Sequence, residues 1–307
     1  MAHHGQLVIH SCGRNINSKQ QCRLKLAAWN VRTLLDAPGR PERRSAILAR
    51  KLARYDIDIA ALSETRISAE NQFEEVGAGY TFFTIGQVEG KPRQAGVGFA
   101  IKSALVSRLQ EHPKAVNLRL THMKLELAHG QTAVLISAYA PTMDAADEVK
   151  EEFYSTLNDV VSSVSYKHRL FILGDLNARV GRDYSTWPKV LGHHSVGNEN
   201  SNGTLLLQFC AQHELVITNT LFQQANKYKC TWMHPRSRHW HMLDYVITRQ
   251  KDARDVHLTR VMRGAVCWSD HCLVRSTVIL QIVPRKTRRS RASRRKKLDV
   301  NRHQPWR

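Results

Sequence analysis

What most constrains this chain is a series of short apolar runs, rich in β-branched residues, that each stop on a polar side chain. "LKLAAWN" ends on Asn30, "IDIAALSE" on Glu64, "TAVLISAYAP" on Tyr139 before a proline, and "LFILGDLN" on Asp175 and Asn177. Runs of this length and composition predict buried strands. Residues at such strand ends stand where open α/β sheets bind their ligands. Taken singly, each has an ordinary alternative: a capping Asn, a solvated Glu, a rim Tyr, a turn Asp. Repetition changes the reading, because "HMLDYVI" contains Asp244 and "WSDHCLV" sets Asp270 and His271 just before another apolar run.

Further strands are predicted in "YTFFTIG", "GVGFAI", "THMKLELA", "LVITNT", "LDYVIT" and "CLVRSTVIL". Helical spacing appears in "PERRSAILARKLARY" through Ile47, Leu48, Leu52 and Tyr55, with Pro41 suited to a first turn. "DAADEVKEEFYSTLNDVVSSV" puts acids early and Val149, Phe153, Leu157, Val160 and Val161 on one face. "NSNGTLLLQFCAQHEL" does the same with Leu205, Leu206, Phe209 and Cys210, behind Asn and Ser capping candidates. About ten strands and three helices, with many strands not separated by helices, predict a layered α/β sandwich over simple βαβ winding. The folded body is expected over 24–284, with an irregular segment over 1–23 and a disordered basic tail over 285–307.

Charge bounds the partners. The chain carries 46 basic and 26 acidic side chains, a net +20. Eleven basic residues and one acid fall from Arg285 onward, so the tail holds +10. That excess points to polyanions, nucleic acid foremost. The tail suits a nuclear-import signal or a nucleic-acid arm, so a nuclear location is expected, or else a cytoplasmic one. No apolar run approaches a membrane span and the N-terminus lacks a secretory pattern, so neither membrane binding nor secretion is expected. The six cysteines form no CxxC pair and read as reduced thiols.

The strand-end inventory of carboxylates, amides, one phenol and one imidazole suits a hard divalent cation with a proton moved beside it. Asn30 in "WNVRT", Glu64 in "SETR", Tyr139 in "YAPT", then "GDLNARVG", "LDYVI" and "SDH" occur in the order of the endonuclease/exonuclease/phosphatase family. The sequence resembles that family across nearly the whole body, closest to endonucleases of RTE-type non-LTR retrotransposons and to a host relative of them. The resemblance implies an α/β four-layer sandwich of two packed mixed β-sheets flanked by α-helices. It implies a Mg²⁺-dependent endonuclease hydrolysing DNA phosphodiesters, with Mn²⁺ as a substitute metal.

It also implies roles. Glu64 resembles the principal metal ligand, with Asn30 and Asp270 as companions. Asp175 resembles the residue that orients or deprotonates the attacking water. Asn177, Asn30 and Trp232 would contact substrate, although a core aromatic is an equal reading of Trp232. Tyr139 would donate to a phosphate oxygen or the leaving group. His271 would touch the scissile phosphate, its other nitrogen held by Asp244.

Thr142 follows "YAP" where many repair and RNA-processing relatives carry Asn, which argues against an abasic-site repair role. His193 and His194 are not expected to bind metal. His234, His239 and His241 are expected on a surface loop, and "GVG" at Gly96 to Gly98 is expected to serve close strand packing. With Leu280 near the end, the chain leaves no room for a following reverse transcriptase, which suggests a stand-alone host protein or a truncated element.

Two competing functions are a host-recruited nucleic-acid- or chromatin-binding protein with vestigial catalysis, and a phosphatase for a small phosphoester. If binding is the function, deleting 285–307 should abolish localisation in imaged cells while Asp175→Ala leaves it unchanged; the reverse pattern favours catalysis.

Overall fold

Alternation along the first strand sets the layering. Leu24, Leu26 and Ala28 enter one core and Ala27 and Trp29 another, so β1 (Cys22–Asn30) is buried on both faces. This computed structural model describes residues 22–280 except 37, 38, 40 and 88–94. The basic tail and almost all of the N-terminal segment lie outside the described residues, and β1 begins two residues before Leu24.

In chain order there follow α1 (Arg44–Arg54), β2 (Ile59–Ser63), β3 (Asn71–Glu75), β4 (Tyr80–Ile85), β5 (Val97–Lys102) and a single turn, α2 (Ser103–Val106). Next come β6 (Leu109–Asn117), β7 (Leu120–Glu126), β8 (Thr132–Tyr139), α3 (Asp147–Ser163), β9 (Arg169–Asp175) and α4 (Ser201–Gln212). The chain continues through β10 (Leu215–Ile217), β11 (Trp232–Met233), β12 (Trp240–His241), β13 (Asp244–Arg249), β14 (Val256–Met262) and β15 (Leu273–Leu280).

Seven strands form one sheet in the order β14-β15-β1-β2-β5-β4-β3, and six form another in the order β10-β13-β9-β8-β7-β6. Both are mixed, because each holds one parallel pair, β1 with β2 and β8 with β9. Between the sheets lie Leu26, Phe99, Leu135, Phe171, Leu173 and Val274. Outside the seven-stranded sheet, Trp29 and Leu62 meet Leu48 and Leu52 of α1. Outside the six-stranded sheet, Ile136 and Ile172 meet Phe153 and Leu157 of α3 and Leu206 of α4. The result is the expected four-layer sandwich, held by many side chains whose full burial is worth roughly 1.5–3 kcal/mol each.

In the two main sheets three strands escape sequence detection, β3, β6 and β14, and so does the two-stranded ribbon of β11 and β12. All are sheet edges, where one face and one ladder meet solvent and no continuous apolar run is needed. β6 even contains Pro113, beside register shifts of the kind that proline tolerates at an edge. Two helix faces also turn differently from expectation. Val149 is exposed on α3 while Lys150 is buried, its ammonium paired with Asp147 at 3.1 Å. On α4, Leu207 replaces Leu205 in the core. Asn200 supplies the helix cap, its side chain accepting from the Gly203 amide.

Gly174 explains the break in "FILGD". It pairs with Ala138 across the parallel β8–β9 ladder, has φ of 151°, and an added Cβ would stand 1.8 Å from the Ala138 carbonyl oxygen. Only glycine lets the two strands stay closed up to their last residues. We expect Gly174→Ala to lower the free energy of urea unfolding by on the order of 3 kcal/mol or more. Gly77→Ala, with nothing within 4 Å of its Cβ, should change it by less than about 1 kcal/mol.

Candidate active site

Strand register gathers the polar ends. Tyr139 stands opposite Asp175 across β8–β9, and Asp175 opposite Asp244 across β9–β13. In the other sheet Asn30 pairs with Ser63, so Glu64 lies one residue past the ladder. Both parallel pairs end on the same side, and the loop before β15 closes over that side. The Trp29 indole donates to the His271 carbonyl at 3.1 Å, the Trp268 indole to the Val31 carbonyl at 2.7 Å, and the Ser269 hydroxyl to the Asn30 carbonyl at 2.7 Å. Asp270 and His271 are therefore fixed against the end of β1.

A cleft of about 510 Å³ opens there, lined by Glu64, Tyr139, Asp175, Asn177, Trp232, Asp270 and His271, together with Arg32, Thr142, Met143, Asp144, Arg179, Asn200, His234, His241 and Leu243. Asn30 and Asp244 lie fully buried behind it. Three lining residues leave their strands through left-handed backbone: Arg32 (φ 62°), Glu64 (φ 54°) and Asn177 (φ 46°). That conformation costs a non-glycine residue roughly 1–2 kcal/mol, and such strain clusters at functional sites.

Asn30 links the halves. Its Nδ2 donates to Glu64 Oε1 at 2.8 Å and to Asp175 Oδ2 at 2.9 Å, while its Oδ1 accepts from the Arg32 amide at 2.9 Å. Asn30 thus tethers Glu64 to Asp175, with its oxygen held by the Arg32 amide. Asn177 also serves the scaffold: its Nδ2 donates to the Ala140 carbonyl at 2.9 Å and its backbone N–H to Asp175 Oδ1 at 3.0 Å. Trp232 is half-buried on the cleft wall, where its indole N–H donates to Asp270 Oδ2 at 3.0 Å. Its interaction is polar, unlike that of a core aromatic.

His271 Nδ1 meets Asp244 Oδ2 at 2.9 Å, and its Nε2 faces Asp175 Oδ2 at 3.9 Å. Burial pulls the imidazole down, but the Asp244 and Asp175 carboxylates outweigh it and raise it to about 9. Burial first, and then the charge of Asp244, push Asp175 up to about 7 against the pull of His271 and two amide donors. Burial, with the nearby Glu64 and Asp175 charges, raises the Tyr139 phenol and keeps it protonated. Arg119 lies over its ring at 5.2 Å.

Two sets of groups are candidates for a cation. Ligand atoms of Asp175, Asp244 and His271 lie within 4.8 Å of one another, all three buried. Glu64 and Asp270 are half-buried oxygen donors that have each drawn an arginine: Arg66 at 2.7 Å from Glu64, and Arg32 at 4.0 Å from Asp270. Hard carboxylate oxygens that attract guanidinium groups fit a hard divalent ion.

Several contributors carried no sequence signal. Arg32, Arg66 and Arg179 are unremarked arginines in a basic chain. The Thr231 hydroxyl accepts from the Leu243 and Asp244 amides at 3.0 and 3.1 Å, setting the start of β13. His241, expected on a loop, is in strand β12 and faces the cleft. His193 instead packs against Tyr184, ring centroids 4.1 Å apart and tilted by 50°, and does not line the cleft. Gly96 and Gly98 do serve close packing, since a Cβ would meet Thr65 Oγ1 at 2.6 Å and the Phe83 carbonyl at 2.3 Å.

The sequence model of the Endonuclease/Exonuclease/phosphatase family matches residues 27–271. The chain belongs to that family. Craniofacial development protein 2 of Bos taurus is 29% identical over 269 residues, 86% of this chain and 42% of the relative. The chain thus spans less than half the length of that curated relative. An AP endonuclease from Leishmania major superposes with a TM-score of 0.61 at 16% identity, covering 84% of this chain and 88% of that one. The endonuclease domain of TRAS1, a telomere-specific non-LTR retrotransposon, does so at 0.58 and 16%, covering 83% and 98%. Family membership makes a nuclease or phosphatase fold the frame for these residues.

Asp244→Asn removes the charge that holds His271 protonated while keeping its shape. The imidazole pKa, followed by NMR, should fall from about 9 toward or below its ordinary ~6.5, because burial then opposes protonation with one carboxylate fewer.

Proposed function

We propose that this family member is a divalent-metal-dependent phosphodiesterase that cuts DNA internally, derived from a retrotransposon endonuclease. The observation that carries the reading is the convergence of Glu64, Asp175, Asp270 and His271 on one cleft, joined by Asn30 and backed by Asp244. Net charge supports a polyanionic substrate.

Glu64 and Asp270 would hold the cation, with Mg²⁺ the ion best suited to oxygen donors and retained waters, and Mn²⁺ its substitute. When bound, it neutralises charge on the phosphoryl oxygens and on the leaving oxygen. Asn30 fixes Glu64 against Asp175, so that charge neutralisation and proton acceptance occur at set positions. Asp175, with its pKa near 7, takes a proton from the attacking water. His271, cationic and oriented by Asp244, donates from Nε2 to a phosphate oxygen. Tyr139, protonated throughout, donates a second hydrogen bond to the phosphate or the departing oxygen. Trp232 holds Asp270 in place and offers the substrate an aromatic edge.

Purified protein with Mg²⁺ should nick supercoiled plasmid, and EDTA should stop it. Glu64→Ala and Asp175→Ala should each lower the rate by at least ~10² with unchanged circular dichroism. Absence of nicking, or nicking indifferent to EDTA, sinks the reading.

A further inference from the structure

Beside the cleft lies a second, smaller cavity of about 170 Å³. Arg179 and His241 line both. The two differ sharply in charge. Glu64, Asp144, Asp175 and Asp270 line the first, whereas no acidic residue lines the second and two arginines, Arg179 and Arg182, do. Neither guanidinium makes an ion pair or side-chain hydrogen bond among the described residues. Trp240, Met242 and Cys230 supply the apolar part of the wall.

Arg179 is rigidly seated. Its backbone N–H donates to Asn200 Oδ1 at 2.9 Å, and its carbonyl accepts from the Asn200 amide at 3.0 Å. The same Asn200 oxygen caps α4 through Gly203 at 2.9 Å. Gly203 is pressed so close that a Cβ would stand 1.8 Å from the Arg179 carbonyl oxygen. A helix start, a cap and a glycine thus hold one arginine at the border of the two cavities. Unpaired guanidinium groups next to an aromatic wall, with no competing acid, match a phosphate attached to a flat apolar ring.

We propose that the second cavity is a subsite for the nucleotide adjoining the scissile phosphate, with Arg179 and Arg182 on its phosphate and Trp240 beside its base. This rests on the phosphodiesterase reading and sharpens it: the substrate is a polynucleotide strand instead of a small phosphomonoester. Arg182 touches only the second cavity and is exposed, so its replacement spares the fold.

The test is equilibrium binding of a short fluorescein-labelled DNA duplex to the full chain carrying Asp175→Asn, with and without Arg182→Ala. One lost phosphate contact lowers the salt slope by ~0.9 and, near 0.1 M salt, weakens binding about eightfold. Arg182→Lys should recover most of both changes, and Arg54→Ala, on α1, should cause neither. With Asp175 restored, Arg182→Ala should lower kcat/KM for plasmid several-fold more than for bis(p-nitrophenyl) phosphate, which has no neighbouring nucleotide. Unchanged affinity and slope overturn the subsite even if plasmid is nicked. A loss no larger than that of Arg54→Ala overturns it too. If affinity and slope fall as expected but the unmodified chain hydrolyses neither substrate with Mg²⁺, the subsite stands and the hydrolase reading falls.

Discussion

One amide holds the site together across the layers. Asn30 leaves the seven-stranded sheet, and its two N–H groups reach carboxylates on separate sheets, Glu64 in its own and Asp175 in the other. Both acceptors are carboxyl groups facing the cleft, and whenever both are ionised they would repel without a donor between them. An amide can serve two carboxylates without adding charge, which leaves their negative potential available to a cation. That arrangement requires the two sheets to end level, and the close β8–β9 approach at Gly174 is what brings Asp175 level with Tyr139. Packing between the sheets and chemistry at their ends are therefore one constraint.

Charge is balanced locally as well. Asp175 and Asp244 are cross-strand neighbours, both almost wholly out of water, a placement that would be costly if both were ionised beside no cation. His271 lies between them and takes up a proton, and Asp175 answers with a raised pKa. Asp244 Oδ2 meets the imidazole at 2.9 Å, and its Oδ1 is buried with no hydrogen-bond partner among the described residues. The triad thus contains a proton donor and a proton acceptor within hydrogen-bonding range of the same cleft. Each is tuned by the other, so neither can be changed without retuning its partner.

Much of this was legible in the residue order because the site is built at strand ends. A polar residue closing an apolar run is visible without coordinates, and Asn30, Glu64, Tyr139 and Asp175 all carry that mark, whereas Asp244 opens its strand. The central strands were visible for the same reason. Edge strands β3, β6 and β14 were not, since solvent on one side removes the apolar pattern. Nor does residue order tell which atom of Asn30 faces Glu64; the left-handed turn at Arg32 decides that, by presenting an amide to Oδ1. Arginines were the hardest to read. In a chain with 46 basic residues, Arg66 and Arg179 look like any other, and only their neighbours in space distinguish one that shields Glu64 from one whose guanidinium has no ion pair among the described residues.

That distinction has a consequence for a substrate with many phosphates. The floor of the cleft is acidic, so a bare polyanion of the proposed kind would be repelled from it. Arg32 and Arg66 lie against the acids and cancel part of that field, while Arg179 and Arg182 make no ion pair among the described residues. If the substrate is a strand, as proposed, its neighbouring phosphates would settle on these arginines, and only the phosphate aligned with Glu64 and Asp270 would need a divalent ion to approach. On the proposed reading, charge alone would then separate a strand from a small phosphoester, which reaches the acidic floor with no second phosphate to anchor it.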